Sequence, residues 1–311
     1  MNALRRRAFL QMTGAAASAQ ACGATSVAAE QGSLPLYRGP TAFSVQSHML
    51  PLNVRQLDPV QAAGFRMMRL PFIHWFLRKK VDSWYFEPYD RIAQACAKRG
   101  IALLLTTGNP RAGFDPDDYA SAARQAAARY PDARWEVCNE PNNPPYWHNG
   151  PPTTESYLAI ALPTVAAIKA GNPSARVATA GTSGVRQAWQ QALVDSGAFA
   201  AGKFDACGVH PYGETADSVV GAYRRLKAIL PAGIEIWATE YGLPDPQPRD
   251  VRAFYDVHAH MGIPVFNWYE IQDDVVGGDV QRYGLIDREY APKPAYDAAT
   301  SINALTKAAV R

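Results

Sequence analysis

Residues 134–141 read Arg134-Trp135-Glu136-Val137-Cys138-Asn139-Glu140-Pro141. The run is short, apolar and β-favouring, which fits a strand buried on both faces, and it ends abruptly in Asn-Glu-Pro. About a hundred residues later Ile234-Glu235-Ile236-Trp237-Ala238-Thr239-Glu240-Tyr241-Gly242 has the same form. Six more runs of this kind flank the two: 41–47 (TAFSVQS), 65–72 (FRMMRLPF), 101–107 (IALLLTT), 176–182 (RVATAGT), 204–210 (FDACGVH) and 264–270 (PVFNWYE). Helical patterns lie between them. Segments 87–99, 116–129 and 155–170 carry a 3.6-residue periodicity. Asp58-Pro59 and Asp115-Pro116 each place a capping carboxylate before a proline suited to a first helical turn. Gly100 and Gly171 stand as C-terminal stops. The alternation recurs roughly every thirty residues, as one strand–helix unit requires. No linker or shift of composition divides the chain. The expected fold is α/β: a single (β/α)8 TIM barrel over residues 30–311.

Bulk properties narrow the function classes. Hydrophobic residues make up 48% and charged residues 19% of the 311, as in a globular protein with a large core. The net charge of +3 is too small to argue for nucleic acid as a partner, and part of it sits in Arg5, Arg6 and Arg7. Nothing in the sequence calls for a partner chain, so a monomer is expected. Cys96, Cys138 and Cys207 are far apart and in apolar contexts; one disulfide is possible, but no CxxC or Cys/His cluster suggests a zinc site.

Residues 1–29 have a charged start, a mildly apolar stretch from Ala8 to Ala21 and small residues after it. That is an export-signal pattern, too short and too polar for a membrane span. Arg6-Arg7-Ala8-Phe9-Leu10-Gln11 resembles the twin-arginine export motif, departing from it at Arg5 and Gln11. Ala19-Gln20-Ala21 is a cleavage signal that would leave Cys22 first in the mature chain. Cys22 could instead carry a lipid anchor, although Ala19 stands where a Leu is usual. A periplasmic or secreted location is expected.

In a barrel of this kind chemistry sits at the C-terminal ends of the strands. Strands four and seven each end in a glutamate there, Glu140 and Glu240, which would face each other across the mouth. Glycoside hydrolysis uses such a pair, one carboxyl protonating the leaving oxygen and the other attacking the anomeric carbon or activating water. Glu136 and Glu235, four and five residues earlier, should lie deeper and be structural.

The sequence resembles clan A, the superfamily of retaining (β/α)8 glycoside hydrolases, and its late segments are similar to members of families 39 and 5, including bacterial exopolysaccharide hydrolases. The resemblance rests on Asn139-Glu140-Pro141, on Thr239-Glu240-Tyr241-Gly242, and on the closing Tyr283-Gly284-Leu285-Ile286-Asp287 and Pro292-Lys293-Pro294-Ala295-Tyr296. It implies that Glu140 is the acid/base and Glu240 the nucleophile, and that Asn139 binds a sugar 2-hydroxyl. It further implies that Arg69 holds the nucleophile ionised and that His210 and Tyr212 flank it, with Tyr212 donating to Glu240. Trp268 on strand eight is expected as a flat platform under a sugar ring. His74 and Trp75, with Tyr146, Trp147 and His148 in the loop 141–153, are candidates for further subsites. Arg69 could alternatively balance a buried acid such as Glu136 or Asp90, and the loop aromatics could be buried against their own prolines.

The expected activity is therefore retaining hydrolysis of β-glycosidic bonds in a polysaccharide or oligosaccharide, with no cofactor. The alternatives are a non-catalytic sugar-binding barrel or a transglycosylase in exopolysaccharide processing. Metal-dependent hydrolysis would need clustered ligands, and the lone His-x-His, His258 and His260, lies on a helical stretch where residues two apart diverge.

Overall fold

The computed structural model describes residues 41–48, 54–72, 77–80 and 83–309. The leader with Cys22, and His74 and Trp75, lie outside them. Eight parallel strands form the barrel: β1 (Ala42–Gln46), β2 (Met67–Pro71), β3 (Ala102–Thr106), β4 (Arg134–Val137), β5 (Val177–Thr179), β6 (Ala206–His210), β7 (Glu235–Tyr241) and β8 (Val265–Trp268). Their order is β7-β8-β1-β2-β3-β4-β5-β6, and pairing of β6 with β7 closes the ring. Among the described residues, eight helices alternate with them: α1 (Leu57–Ala62), α2 (Glu87–Ala97), α3 (Pro116–Arg129), α4 (Thr154–Gly171), α5 (Gln187–Asp195), α6 (Ala216–Ile229), α7 (Pro248–His260) and α8 (Pro294–Ala309). No described helix is long and apolar enough to cross a membrane. The expected (β/α)8 barrel is the fold observed.

Strand alternation sorts side chains into two cores. Outward residues such as Phe43, Met68, Trp135, Val209 and Phe266 pack under the helices in one large cluster. Inward residues Met67, Leu104, Ala178, Ala206, Trp237 and Val265 form a separate small cluster that plugs the lower barrel. One layer higher the inward positions turn polar: Ser44, Arg69, Thr106, Glu136, Thr239 and Asn267 are all buried. Ser44 donates to Asn267 at 2.7 Å across the β1–β8 seam. The plug therefore forms the floor beneath a buried polar chamber.

Local signals held in part. Asp115 caps α3, accepting from the backbone of Asp117 at 2.9 Å and Asp118 at 3.3 Å. Asp58 caps nothing: α1 starts one residue earlier, and the carboxylate accepts from Arg99 at 3.0 Å instead. Gly100, at φ 66°, is a left-handed stop as expected. Gly171 is not; it is the last residue of α4, and a Cβ there would lie 2.1 Å from the Arg124 carbonyl oxygen of α3. That glycine permits close helix packing. Cys96, Cys138 and Cys207 are buried free thiols.

Candidate active site

Two backbone irregularities decide where the glutamates point. Beyond β4 the chain visits the left-handed region twice, at Cys138 (φ 68°) and Glu140 (φ 44°). Non-glycine residues held there cost on the order of 1–3 kcal/mol each and need support. Cys138 N–H donates to Thr107 Oγ1 at 3.0 Å, Asn139 N–H to Asn109 Oδ1 at 2.8 Å, and Glu140 N–H to the Gly181 carbonyl at 3.0 Å. On β7 the register against β8 slips: Ala238 faces Phe266 but Tyr241 faces Trp268, three residues against two. The bulge lets Thr239 and Glu240 both turn inward while Tyr241 rejoins the outer core.

One oxygen of each glutamate and a ring nitrogen of His210 lie within 4.8 Å of one another, all buried. The two carboxylates have different partners. Glu240 Oε2 accepts from Arg69 Nη1 at 2.7 Å, and its Oε1 accepts from the Tyr212 hydroxyl at 3.1 Å. Glu140 Oε1 lies 3.0 Å from His210 Nδ1, and its Oε2 accepts from Asn143 Nδ2 at 3.1 Å. A guanidinium thus serves one carboxylate and a titratable ring the other.

Glu136 sits below both, fully buried. Its Oε2 accepts from Arg69 Nε at 2.7 Å; its Oε1 accepts from Thr239 Oγ1 at 2.6 Å and the Gly181 backbone at 2.8 Å. Burial alone would raise this carboxyl, but Arg69, with His210 and Thr239 adding to it, holds it down at about 2. His210 shows the reverse balance. Burial favours the neutral ring, yet Glu240, Glu136 and Glu140 bring it up to about 9. Burial, with Glu240 beside it, pushes the Tyr212 phenol well above its ordinary value, so it remains a donor. Gly181 makes room for the ring: a Cβ there would lie 2.1 Å from His210 Nε2.

Asn139 Oδ1 accepts from Arg69 Nη2 at 2.7 Å, which fixes the amide. Arg69 therefore binds the nucleophile candidate and the buried acid together, while Asp90 belongs to Arg129 on the outer surface. Glu235 opens β7 at the opposite end of the barrel and pairs with Arg176 at 2.9 Å.

Two expectations are corrected. Trp268 is fully buried, packed edge-on against Tyr241 and Phe266 in the outer core, so no face of it meets the chamber. The inward series on β8 is Val265, Asn267 and then Tyr269, which stands close enough to Glu240 and Glu270 to feel their charge. Trp147 is 3% exposed, stacks edge-on with Tyr157 of α4 and donates from Nε1 to Ser156 Oγ at 2.9 Å. It anchors the loop to the barrel wall. Its neighbour Tyr146 faces the site, where Glu140 and Glu240 act on its phenol, and His148 is exposed. Sequence reasoning did not find Gln46, His48, Thr239, Gly181, Asn143 or Tyr269. Counting inward parity along β1 and β8 would have found Gln46, His48 and Tyr269.

Among the described residues, two groups have ligand atoms close enough to hold a metal ion: Glu140 with His210 and Glu240, and His48 with Glu270 and Asp274. In the first, the ring carries a proton at ordinary pH and Arg69 already supplies the positive charge.

The model of the family described as Cellulase (glycosyl hydrolase family 5) matches residues 47–273, which contain both glutamates and nearly the whole ring of strands. The chain belongs to glycosyl hydrolase family 5. Solved structures agree at the level of fold. This family 5 chain superposes with a TM-score of 0.69 on a family 39 glycoside hydrolase from Bacteroides cellulosilyticus WH2, at 19% identity over 87% of its own length and 65% of the other chain. It thus spans less than two thirds of that protein. A GH10 endoxylanase from a sugarcane soil metagenome gives 0.64 at 13% identity, covering 86% and 98% of the two chains. A GH5-4 broad specificity endoglucanase from Clostridium acetobutylicum gives 0.62 at 15%, covering 85% and 96%. No curated protein matches by sequence.

Proposed function

We propose that this glycosidase is a retaining enzyme that cleaves β-glycosidic bonds of a polysaccharide or oligosaccharide through a covalent glycosyl-enzyme on Glu240. One observation carries the reading: two buried carboxylates with oxygens within 4.8 Å, one served by a cation and the other by a titratable ring. Retention places the carboxyl groups ~5 to 5.5 Å apart, whereas inversion needs ~6.5 to 9.5 Å to admit a water. The short spacing favours direct attack.

In this mechanism Glu240 attacks the anomeric carbon as Glu140 protonates the departing oxygen. The Arg69 and Tyr212 hydrogen bonds orient Glu240 and accept its change of charge as the ester forms. A proton lies between His210 Nδ1 and Glu140 Oε1, and the coupled pair delivers it to the leaving group. Water then enters on the vacated side, and Glu140 takes its proton as the ester opens. Asn139, with Oδ1 held by Arg69, keeps its amide hydrogens for a substrate hydroxyl. The Arg6-Arg7 leader supports action outside the cytoplasm, in the periplasm or medium.

The test is mechanism-based labelling with a panel of 2-deoxy-2-fluoro β-glycosides, read by intact mass and peptide mapping. A sugar ester on Glu240 is the expected result. An ester on another residue, or inverted anomeric configuration in the first-formed product, would overturn the proposal.

A further inference from the structure

Beside the pair lies a second cluster that the mechanism does not use. After β8 the Glu270 carboxylate is 2% exposed, and its Oε1 is buried with no hydrogen-bond partner. Its Oε2 meets His48 Nδ1 at 2.8 Å. Glu270 and His48 line a cavity of about 200 Å³ together with Gln56, Gln272, Asp273 and Asp274. Asp273 is neutralised by Lys293 at 2.6 Å, so the carboxylates left to a ligand are Glu270 and Asp274. An unpartnered buried carboxylate oxygen is costly unless a donor reaches it.

The cavity is wired to the catalytic pair. Gln46 Oε1 accepts from Arg69 Nη1 at 2.9 Å, which turns its amide nitrogen toward His48 Nε2, 3.3 Å away. In the neutral ring the nitrogen facing that amide accepts, which puts the proton on Nδ1; burial opposes the charged ring but Glu270 favours it, and in either state Nδ1–H points at Glu270. A chain of hydrogen bonds thus runs from Glu240 through Arg69, Gln46 and His48 to Glu270, and it ends on the open oxygen. The charge of Glu240 acts on both Glu270 and His48.

The tautomer decides between two kinds of positive ligand. A metal ion ligated by His48 Nδ1 would have to displace the ring proton and break its bond to Glu270. A protonated amine needs acceptors only, and brings three N–H donors and a full charge. The location says where that amine comes from. Glu140 on β4 must reach the bridging oxygen, so the leaving portion of the substrate departs on that side. The portion held by Glu240 then extends over β7, β8 and β1, where Glu270 and His48 stand.

We propose that this cavity is a subsite on the glycone side that takes a sugar carrying a free protonated amine, a 2-amino-2-deoxy unit. The inference rests on the proposed roles of Glu140 and Glu240, and it makes a partly or wholly de-N-acetylated amino-sugar polymer the substrate class. Burial pushes the Glu270 carboxyl up to about 7, with His48 opposing, and a cationic ligand favours its ionised form.

The test is binding by the full chain carrying Glu240→Gln, followed by NMR titration at pH 6.5. The probes are methyl β-glucosaminide and methyl β-galactosaminide, their N-acetyl forms and the neutral parent glycosides. The free amines are expected to bind at least ten-fold more tightly than acetylated or neutral forms. Glu270→Gln and, independently, the milder Asp274→Asn should erase that preference, with thermal melts showing that each variant is folded. Equal affinity across the three forms, or no binding of either amine, overturns the subsite. So does stoichiometric calcium, manganese or zinc binding by calorimetry that Glu270→Gln removes, since that would make it a metal site. Because binding is read apart from turnover, a missing ester on Glu240 with amine preference intact would sink the hydrolytic mechanism alone.

Discussion

The lower and upper halves of the barrel interior are built from the same eight strands and the same alternation, yet they solve burial in opposite ways. Below, Met67, Leu104, Trp237 and Val265 fill the space with apolar volume. Two residues further along, β2 presents Arg69 and β7 presents Thr239, and β4 contributes Glu136 at the same level. Packing needs only shape, whereas the upper layer needs every charge paired. A broken buried pair costs far more than the intact pair contributes. The lower half can therefore be judged by stability alone, and the upper half must be judged by stability and chemistry together.

The largest expected effect separates the halves outright. Glu240→Ala should lower kcat by at least ~10^4-fold, and some stability goes with it because Arg69 is left with Glu136 alone. Leu104→Ala, in the plug, should cost about 2–5 kcal/mol in urea unfolding and leave the activity of the folded fraction intact. A folded Leu104 variant with impaired kcat would break the division.

Glu136→Gln should cross the boundary. Removing that charge leaves Arg69 with Glu240 as its one anionic partner and takes away one of the three carboxylates around His210, so a loss of about 3–5 kcal/mol is expected. Activity should fall with it, because the same carboxylate positions groups on both glutamates. Stability lost with kcat unchanged would reduce Glu136 to a packing residue.

The two perturbed groups also predict pH limits of opposite sign. Glu136 is held at about 2 against an ordinary 4.5, so its contribution is complete above pH 4.5 and lost as pH falls toward 2. His210 is raised to about 9 from 6.5, so its contribution is complete below pH 6.5 and lost as pH rises through 9. Melting temperature against pH should decline on both sides, and His210→Asn should flatten the alkaline side alone. An unchanged alkaline decline would mean that some other group governs it.

How much of this was legible in the sequence follows from the range of the interactions. The eight strands, the helices and the two glutamates could be read because each depends on a local pattern: apolar runs, 3.6 periodicity, and Asn-Glu-Pro at a strand end. Arg69 was found, but as a choice between two partners, and the fold gives it both. Asp58 does not cap because a cap depends on where the helix starts: the turn Val54–Gln56 runs straight into α1 at Leu57, so Asp58 falls inside the first helical turn. Gly181 had no sequence signal, and Thr239 stood in the strand-seven motif without a role of its own. Their role is to give His210 room and an anchor across strands that are distant in the chain. The strand-seven bulge was equally hidden, since an extra residue shows only against a paired neighbour.

Trp268 is where the comparison can be sharpened with the smallest effect. Its place near the end of β8 and the resemblance to clan A suggest a flat platform under a sugar, but alternation puts Asn267 inside and Trp268 outside. Its indole Nε1 is buried without a partner, so Trp268→Phe loses contacts but no hydrogen bond. A cost of about 1–2 kcal/mol is expected for that partial truncation, with KM and kcat unchanged. Tyr269→Ala, one residue on, should differ in activity: KM rises several-fold, and the melting temperature falls as well because its ring is also buried. Steady-state kinetics beside thermal melts on the two variants decide it. If Trp268→Phe raised KM, the assignment of the inner and outer faces of β8 would be exchanged.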